Sequence, residues 1–432
     1  MAGSSDAQLQ IKLVTKQSTY AVPDIPYSVP SEIVCGELNS LVNELLTETH
    51  GGAVVEFDFL VGGELLRTHL SEHLSERQVS AEEVVLVEYV ERFPAPEPQD
   101  CLEHDDWVSA TQASGEWILS GSYDSTLHLW SRKGTHLLTI PGHTGAVKAV
   151  AWVETADKIC SFVSASQDQT AMIWQWNQTS NSVECVHVLR GHDRGLECLA
   201  VDPTRTYIAT AGWDKVIHLW STVEGLSEGE SFPKKIKFDS KVILQQLFIG
   251  LKKKIIFCIL QSPLMSFQGH KEAISAVQWS EEGEMISASW DHTIKTWDAE
   301  LGGIKVEIVG NKSFFDLSWS PLTRTAITAS ADRHVRLYDP RSTEGTLVKS
   351  TFTSHTEWVQ CVKWSTTSEY HFISGSYDKQ VKLWDTRSPK APLFDMSGHQ
   401  DKVLCCDWSN PELILSGSSD NSLRIFKSQH VL

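Results

Sequence analysis

The stretch SGSYDKQVKLW, residues 374–384, is one of seven similar stretches that decide the fold of most of this chain. Ser374 stands four residues before Asp378, and Trp384 stands six residues after it. Apolar and polar residues alternate on both sides of the polar turn that contains the aspartate, which is the pattern of two antiparallel strands. The stretch therefore predicts a β-hairpin with the aspartate in its turn.

The same three positions recur seven times along the chain. The turn aspartates are Asp124, Asp168, Asp214, Asp291, Asp332, Asp378 and Asp420. Each has Ser or Thr four residues before it and an aromatic residue six residues after it. Upstream histidines, most of them after a glycine, are His104, His143, His192, His270, His355 and His399. Seven matches at three linked positions indicate a repeat architecture.

These polar residues can satisfy one another inside a sheet, where an unpaired polar group would be costly. The pattern resembles the WD-repeat family, whose repeats carry such a network of His, Ser or Thr, Asp and Trp. The resemblance implies an all-β propeller of seven four-stranded blades over residues 104–428. Catalysis or metal binding is the competing interpretation, but each His and Asp already has a structural task in its own blade. We therefore predict a non-enzymatic protein with no cofactor.

The last repeat ends too early to complete its blade, because only six residues follow Phe426. The segment 93–103 precedes the first repeat and is proline-rich at its start. We predict that this segment forms a hinge and that residues near Pro98 to Glu103 supply the outer strand of the last blade. Such a strand would remove an exposed sheet edge.

The spacing between Asp214 and Asp291 is 77 residues, whereas the other spacings are 41–46 residues. The additional chain lies within residues 221–268. Residues 238–262 contain two short apolar runs separated by lysines, and such runs would be an aggregation hazard if exposed. Either they form an extra strand pair on a blade edge, or they are a gene-model artefact such as translated intron sequence. We favour the artefact, which sequencing of the transcript would test.

Residues 8–92 have a different pattern. An apparent hairpin is followed by a helix in which Leu38, Leu41, Val42, Leu45 and Leu46 recur at helical spacing. Two strands joined by a Gly-Gly turn, a connecting loop HLSERQVSAEE and a last strand VVLVEYVE complete the order. This order predicts an α+β ubiquitin-like β-grasp domain.

Composition narrows the function classes. The formal net charge of −18 opposes bulk electrostatic binding to nucleic acid. Nine cysteines without a C-x-x-C pair favour reduced thiols in the cytosol or nucleus over a disulfide framework or metal knuckle. The chain has no apolar run of about 18 residues, so we expect no membrane span and no membrane partner.

The stretches FDFLVGGELLRTHL, EEVVLVEYVE, HDDWVSA and SASWDHTIKTWD resemble the Ytm family of ribosome-biogenesis factors, in which an NLE ubiquitin-like domain precedes a WD-repeat propeller. The resemblance implies a role in pre-rRNA processing and maturation of the large (60S) ribosomal subunit. Implied partners are a pescadillo-type protein, a block-of-proliferation-type WD-repeat protein (together the PeBoW complex), pre-60S particles and a midasin-type AAA ATPase. The implied location is the nucleolus and nucleoplasm.

The same resemblance gives a role to one acid in front of the last strand of the ubiquitin-like domain. The family motif needs a carboxylate there, and SAEEVV places it at Glu82. Glu82 would bind, in trans, a Mg²⁺ ion that the ATPase holds with its own oxygens, because hard cations take oxygen ligands. The alternative is that Glu82 and Glu83 are merely solvated charges on an acidic loop.

In WD-repeat propellers the residue before the turn aspartate tends to lie on the narrow top face. Here those residues include Tyr123, Trp213, Trp290 and Tyr377. Exposed aromatic residues are the usual anchors of protein interfaces, so we predict that these four bind a partner. The alternative is that each packs against the adjoining blade.

A second function class rests on Trp384, Asp385 and Arg387. They resemble the W-D-x-R box of propellers that act as substrate receptors for cullin ubiquitin ligases, and Asp339 and Arg341 form a degenerate copy. A strand that ends in Asp-x-Arg more often forms a local ion pair.

Overall fold

The computed structural model describes residues 8–50, 54–76, 84–156, 158–222, 243–246, 257–281, 283–341 and 348–428. The chain divides into two compact units, Met1–Pro94 and Ala95–Leu432. No helix among the described residues is long and apolar enough to cross a membrane.

The first unit is a five-stranded sheet with two helices and a short 3-10 helix, Ser18–Tyr20. Its elements are β1 Gln8–Val14, β2 Pro26–Pro30, α1 Cys35–His50, β3 Phe57–Val61, β4 Glu64–Leu65, α2 Leu70–Glu76 and β5 Val85–Glu91. The strand order is β2-β1-β5-β3-β4, and only the central pair β1–β5 is parallel among the strands described. This arrangement is the predicted ubiquitin-like β-grasp.

Helix α1 covers the sheet with one apolar stripe. Leu38, Val42 and Leu46 recur every four residues and are almost fully buried in the core of this unit. Such i, i+4 spacing places side chains on one helix face. The side chain of Asn43 pairs with both the N–H and the C=O of Val55, at 2.9 and 2.8 Å, and so holds the chain that leads into β3.

The predicted loop after the Gly-Gly turn is wrong in its first part, because the structure has helix α2 at Leu70–Glu76. Leu70 and Leu74 are 0% and 2% exposed and pack into the same core as α1. The N–H groups of Leu70 and Ser71 donate to carbonyls of the segment between β2 and α1, at 3.1 and 2.9 Å. The helix is therefore stabilised by tertiary contacts, since a helix of this length is unstable by itself.

Among the described residues, the second unit contains seven blades, each built on four antiparallel strands, and the sheet of blade 2 carries two further strands. Blade 1 consists of β7 Val108–Ser114, β8 Trp117–Ser122, β9 Thr126–Ser131 and β10 His136–Pro141. Blade 2 consists of β11 Val147–Thr155, β12 Ile159–Ser166, β13 Thr170–Asn177 and β14 Ser182–Arg190. Blade 3 consists of β15 Leu196–Val201, β16 Tyr207–Gly212, β17 Val216–Ser221 and β20 Met265–Gln268. Blade 4 consists of β21 Ile274–Glu281, β22 Glu284–Ser289, β23 Thr293–Asp298 and β24 Gly303–Val309, and blade 5 of β25 Phe314–Ser320, β26 Thr325–Ser330, β27 Val335–Tyr338 and β28 Val348–Phe352. Blade 6 consists of β29 Val359–Trp364, β30 His371–Ser376, β31 Val381–Asp385 and β32 Phe394–Met396. Blade 7 consists of β33 Val403–Asp407, β34 Leu413–Ser418, β35 Ser422–Lys427 and β6 Glu97–Glu103.

The innermost strand of each blade contacts that of the next, and β33 of the last blade contacts β7 of the first. The blades therefore form a closed ring. Small and β-branched side chains fill the layers between blades, for example Val163, Ala165 and Ile208, each 0% exposed. The fold class predicted from the repeats, a seven-bladed WD-repeat propeller, is confirmed.

The outer strand of blade 7 is β6, which precedes the first repeat in the chain. It pairs antiparallel with β35, with Leu102 opposite Leu423 and Glu103 opposite Ser422. Leu102 is 4% exposed within the core shared by blades 1 and 7. The first and last segments of the second unit are thus joined in one sheet.

This pairing predicts a difference between two truncated chains. A chain of residues 104–432 should be less stable than a chain of residues 95–432, because it lacks β6 and leaves the edge of β35 unpaired. Loss of the buried Leu102 side chain alone should cost about 2 kcal/mol. Thermal unfolding would compare the melting temperatures of the two chains, and light scattering would compare their aggregation. Equal melting temperatures without aggregation of the shorter chain would contradict it.

Part of the long insert is described. Strands β18 Ile243–Gln246 and β19 Phe257–Gln261 form an antiparallel pair, and β19 pairs in parallel with β14 on the edge of blade 2. This is the arrangement of the first of our two alternatives, an extra strand pair on a blade edge. The artefact interpretation of residues 238–262 stays a prediction for transcript sequencing, and most of these residues lie outside the described ranges.

Candidate protein-binding face

In blades 2, 3, 4 and 6, the polar residues of the repeat form a chain of hydrogen bonds inside the blade. In blade 6, Trp384 Nε1–H donates to Ser374 Oγ at 2.8 Å, and the hydroxyl group of Ser374 is 2.8 Å from His355 Nε2. His355 Nδ1 is 2.7 Å from Asp378 Oδ2. One proton assignment satisfies the chain: Ser374 donates to Nε2, and Nδ1–H donates to the carboxylate. The same chain of hydrogen bonds occurs in blade 2 (His143, Ser164, Asp168, Trp174), in blade 3 (His192, Thr210, Asp214, Trp220) and in blade 4 (His270, Ser287, Asp291, Trp297).

The turn carboxylates are strong acceptors in these networks. Burial alone would raise the pKa of Asp168, but hydrogen bonds from His143, Thr170 and the N–H of Thr144 lower it to about 2. The same combination of causes lowers the pKa of Asp214, Asp378 and Asp420. Each carboxylate is therefore ionised at neutral pH and holds the turn in place.

Three blades use different partners. In blade 7, Phe426 replaces the tryptophan, while His399 still contacts Ser416 and Asp420 at 2.8 and 3.2 Å. In blade 1, Asp124 accepts from Thr126 at 2.6 Å, and His104 contacts Ser120 at 2.8 Å.

Blade 5 lacks the upstream histidine, so its turn aspartate has no imidazole donor from that position. Instead, Arg336 forms an ion pair with Asp332 at 2.5 Å, and it lowers the pKa of Asp332 to about 2 against the opposing effect of burial. Arginine therefore takes the place of the histidine as donor to the turn aspartate.

A repeated backbone contact brings two positions of every repeat to one end of the ring. The residue before the turn aspartate donates its N–H to the carbonyl of a residue just before the innermost strand, as Tyr377 does to Trp358 at 2.9 Å. Tyr123 and Trp107 form the same pair at 3.0 Å. Because the first two strands of a blade are antiparallel, the beginning of one lies beside the end of the other.

We call the aromatic residues at this end the aromatic face: Tyr123, Trp213, Trp290, Phe315, Trp358 and Tyr377. They line the mouth of a cavity of about 450 Å³, whose walls are the innermost strands. Ring contacts run continuously from blade 3 to blade 6, with centroid distances of 4.9 Å for Trp213–Trp290, 6.2 Å for Trp290–Phe315, 5.6 Å for Phe315–Trp358 and 5.9 Å for Trp358–Tyr377. The structure thus brings all four aromatic residues predicted from the sequence to the same mouth.

Sequence reasoning missed Phe315 and Trp358, because it considered only the residue before the turn aspartate. Trp358 immediately precedes the innermost strand of blade 6, as Trp107 does in blade 1, whereas Phe315 is the second residue of β25 in blade 5. In the histidine-containing repeats the position of Trp358 lies three residues after the histidine, as Trp358 follows His355. A second alignment at that position would have found Trp358, but not Phe315, because Ser313 occupies the equivalent position in blade 5.

The structure bears on the packing of these aromatic residues, whereas their binding to a partner stays a prediction. Rings of adjacent blades pack against one another, yet Trp213 and Trp358 stay 37% and 47% exposed. Edge-to-face contacts between aromatic rings contribute about 0.5–1.5 kcal/mol beyond area burial, so they orient each ring. The aromatic face is therefore a preorganised apolar surface that is still accessible to a partner.

Charged groups accompany the rings. The Lys148 ammonium group lies 3.2 Å from Glu197 and 2.9 Å from the hydroxyl group of Tyr123. Trp213 Nε1–H donates to the other oxygen of Glu197 at 2.8 Å. These bonds link blades 1, 2 and 3 across the mouth. Deeper in the cavity, burial raises the pKa of Asp316 to about 6.

The residues of the possible cullin-binding box form local ion pairs. Arg387 Nη2 lies 2.7 Å from Asp385 Oδ2, whose side chain is 2% exposed, and the guanidinium group also stacks on Tyr370. Arg341 pairs in the same way with Asp339 at 3.0 Å. Both guanidinium groups therefore have the structural role that a strand ending in Asp-x-Arg commonly has, and the receptor hypothesis gains no support.

Two candidate metal sites have different standing. Glu82 lies outside the described residues, so its role stays a prediction from the resemblance. His192, Asp214 and His218 lie close enough together to hold an ion. However, both ring nitrogens of His192 are already used, by Asp214 and Thr210 at 2.6 and 2.7 Å. That cluster belongs to the blade 3 network.

Comparison with known protein families identifies a matching family model in each of the two units. The NLE (NUC135) domain model matches residues 9–74. The model of the WD domain, G-beta repeat, matches seven segments: 97–131, 134–175, 183–221, 261–298, 305–339, 346–385 and 390–427. The first of these segments includes β6.

Full-length relatives are similar along almost the whole chain. Ribosome biogenesis protein WDR12 homologues from Anopheles gambiae, Culex quinquefasciatus and Drosophila yakuba are 52%, 53% and 51% identical. Each comparison covers 99% of this chain and 97% of the relative. The chain therefore belongs to the WDR12 family of ribosome biogenesis proteins, which the resemblance to the Ytm family indicated.

Proposed function

We propose that this protein is a non-enzymatic assembly factor that acts in pre-rRNA processing and maturation of the large (60S) ribosomal subunit. It acts with a pescadillo-type protein and a block-of-proliferation-type WD-repeat protein on pre-60S particles, in the nucleolus and nucleoplasm. The observation that supports this most is its similarity, over 99% of its length, to ribosome biogenesis protein WDR12 homologues.

The propeller binds the block-of-proliferation-type partner through the aromatic face. Hot spots of protein interfaces are enriched in Trp and Tyr, and they lie in pockets that become fully desolvated on binding. Trp213 and Trp358 offer large exposed apolar area, and their rings are already oriented by their neighbours. A rigid anchor loses little conformational entropy when it binds, which favours affinity.

The ubiquitin-like domain supplies the handle for removal. A midasin-type AAA ATPase binds Glu82 through a Mg²⁺ ion that the ATPase itself carries, and then strips the factor from the particle. A carboxylate oxygen is the ligand type that such an ion takes. This role needs one exposed acid and no cofactor in the chain.

A pull-down from nuclear extract tests both interactions in one experiment. Tagged wild type, Glu82→Ala and Trp213→Ala are compared by mass spectrometry and by position on a sucrose gradient. Glu82→Ala should lose the midasin-type ATPase and keep the other two partners. Trp213→Ala should weaken binding of the block-of-proliferation-type partner by about 2 kcal/mol, which raises the dissociation constant roughly 30-fold, as expected for a hot spot.

Matched controls separate these effects from general damage. Glu83→Ala removes the neighbouring acid and should keep the ATPase. Leu301→Ala removes an apolar side chain that is 82% exposed in a turn at the opposite end of its blade, and it should keep every partner. Absence of large-subunit precursors from the wild-type pull-down would refute the proposal, and so would an unchanged set of partners in both test variants.

A further inference from the structure

Blade 1 contains a group of three side chains that the blade network does not require. His128 Nδ1 and His136 Nε2 are 3.3 Å apart. The hydroxyl oxygen of Thr139 is 3.3 Å from the first nitrogen and 3.2 Å from the second. The three atoms form a nearly equilateral triangle on the outer part of the blade.

Strand geometry explains why these side chains meet. Thr139 of β10 lies opposite His128 of β9, and His136 lies opposite Trp130. A β-bulge between His136 and Leu138 inserts an extra residue into β10. Therefore His136 and Thr139, although three residues apart, reach the same face as His128, and the ring of His136 is held against Trp130 at 4.6 Å.

Hydrogen bonds determine which nitrogen of His128 carries the proton. Thr126 donates its hydroxyl hydrogen to the Asp124 carboxylate at 2.6 Å, so it can only accept from His128 Nε2 at 2.9 Å. Burial lowers the pKa of His128 and so favours the neutral form of the ring. The lone pair of His128 is therefore on Nδ1, which faces His136. The hydroxyl group of Thr126, itself held by Asp124, thus serves as the hydrogen-bond partner that orients a protein metal ligand.

The triangle has the dimensions of a metal site. Four ligands at 2.0–2.1 Å around a tetrahedral Zn²⁺ ion are separated by about 3.3 Å, and imidazole nitrogens suit Zn²⁺, Cu²⁺ and Ni²⁺. His136 and Thr139 are exposed, so an ion can enter from solvent and keep a water as its fourth ligand. We propose that His128, His136 and Thr139 form a surface site for a divalent transition-metal ion, with Zn²⁺ as the expected occupant.

Calorimetric titration of tag-free, chelator-treated full-length protein with ZnCl₂ at neutral pH tests the site. Wild type should bind one Zn²⁺ ion through this site, and His136→Asn should weaken that binding at least ~10-fold, since loss of a mere second-shell partner already costs 10–100-fold. MgCl₂ should not bind there, because Mg²⁺ prefers oxygen ligands. With Cu²⁺, electron paramagnetic resonance should count two coupled imidazole nitrogens in wild type and fewer in His136→Asn.

Two controls make the result specific. His292→Asn removes another exposed histidine, at a turn position with φ of 68° that asparagine tolerates, and should bind Zn²⁺ like wild type. Cys101→Ser removes an exposed thiol and should also bind like wild type. The proposal is wrong if wild type binds no Zn²⁺, if His136→Asn keeps the wild-type affinity, or if Cys101→Ser loses it.

Discussion

Replacing Trp384 with alanine should lower the free energy of unfolding by about 3–5 kcal/mol, the usual loss for a large aromatic residue in a core. Trp384 is 0% exposed, and its ring packs on Phe352 and Phe372 with centroid distances of 5.5 and 6.1 Å. The substitution leaves a cavity between blades 5 and 6. It also removes the indole N–H group that donates to Ser374 Oγ, the atom that links the indole to His355.

Urea unfolding followed by tryptophan fluorescence or circular dichroism measures this loss. The matched control is Trp358→Ala, which removes the same side chain from a site that is 47% exposed, on the same blade. We expect the control to lose less than half as much stability. Equal losses in the two variants would contradict a role for the buried network, since they would make the effect one of tryptophan content alone.

Replacing Lys148 with methionine should cost about 3 kcal/mol, the lower end of the range for breaking a buried ion pair from one side. The side chains of Lys148 and Glu197 are 16% and 18% exposed. Burial by itself would lower the pKa of Lys148, but Glu197 and the Tyr123 hydroxyl raise it above its ordinary value. Lys148→Met keeps the length of the side chain and leaves the Glu197 carboxylate with Trp213 as its remaining side-chain donor among the described residues.

A double-mutant cycle isolates the interaction. Glu197→Gln keeps an oxygen that accepts from Trp213 but removes the charge, so the double variant Lys148→Met/Glu197→Gln should recover much of the stability lost in Lys148→Met. The coupling free energy, measured by urea unfolding of all four proteins, should be at least about 1 kcal/mol. Purely additive losses would mean that the two side chains do not stabilise each other.

The blades were predictable because their determinants are local. In each repeat the Ser or Thr, the turn aspartate and the aromatic residue lie within eleven residues of one another, on two strands joined by the turn that the aspartate forms. The strand at Glu97–Glu103 was also expected, since a blade without it would have left an open edge beside β35. Arg336 in blade 5 shows the limit of the pattern, because the replacement donor comes from a position that the repeat does not specify.

Helix α2 was missed for a physical reason. Leu66, Leu70 and Leu74 do recur at helical spacing, but seven residues are too few for a helix to be stable without neighbours. The core of the first unit and the carbonyls that accept from Leu70 and Ser71 supply that stability. These groups are distant in sequence, so local periodicity did not reveal the helix.

The sequence by itself determined the fold of both units, the family and four members of the aromatic face. The tertiary structure alone decided that Phe315 joins that face, that Lys148 and Glu197 pair across blades, and that His136 and Thr139 reach His128. The reason is common to all three. A repeat pattern specifies contacts within a blade, where the chain turns back on itself, whereas contacts between blades and across a β-bulge depend on closure of the ring and on strand register.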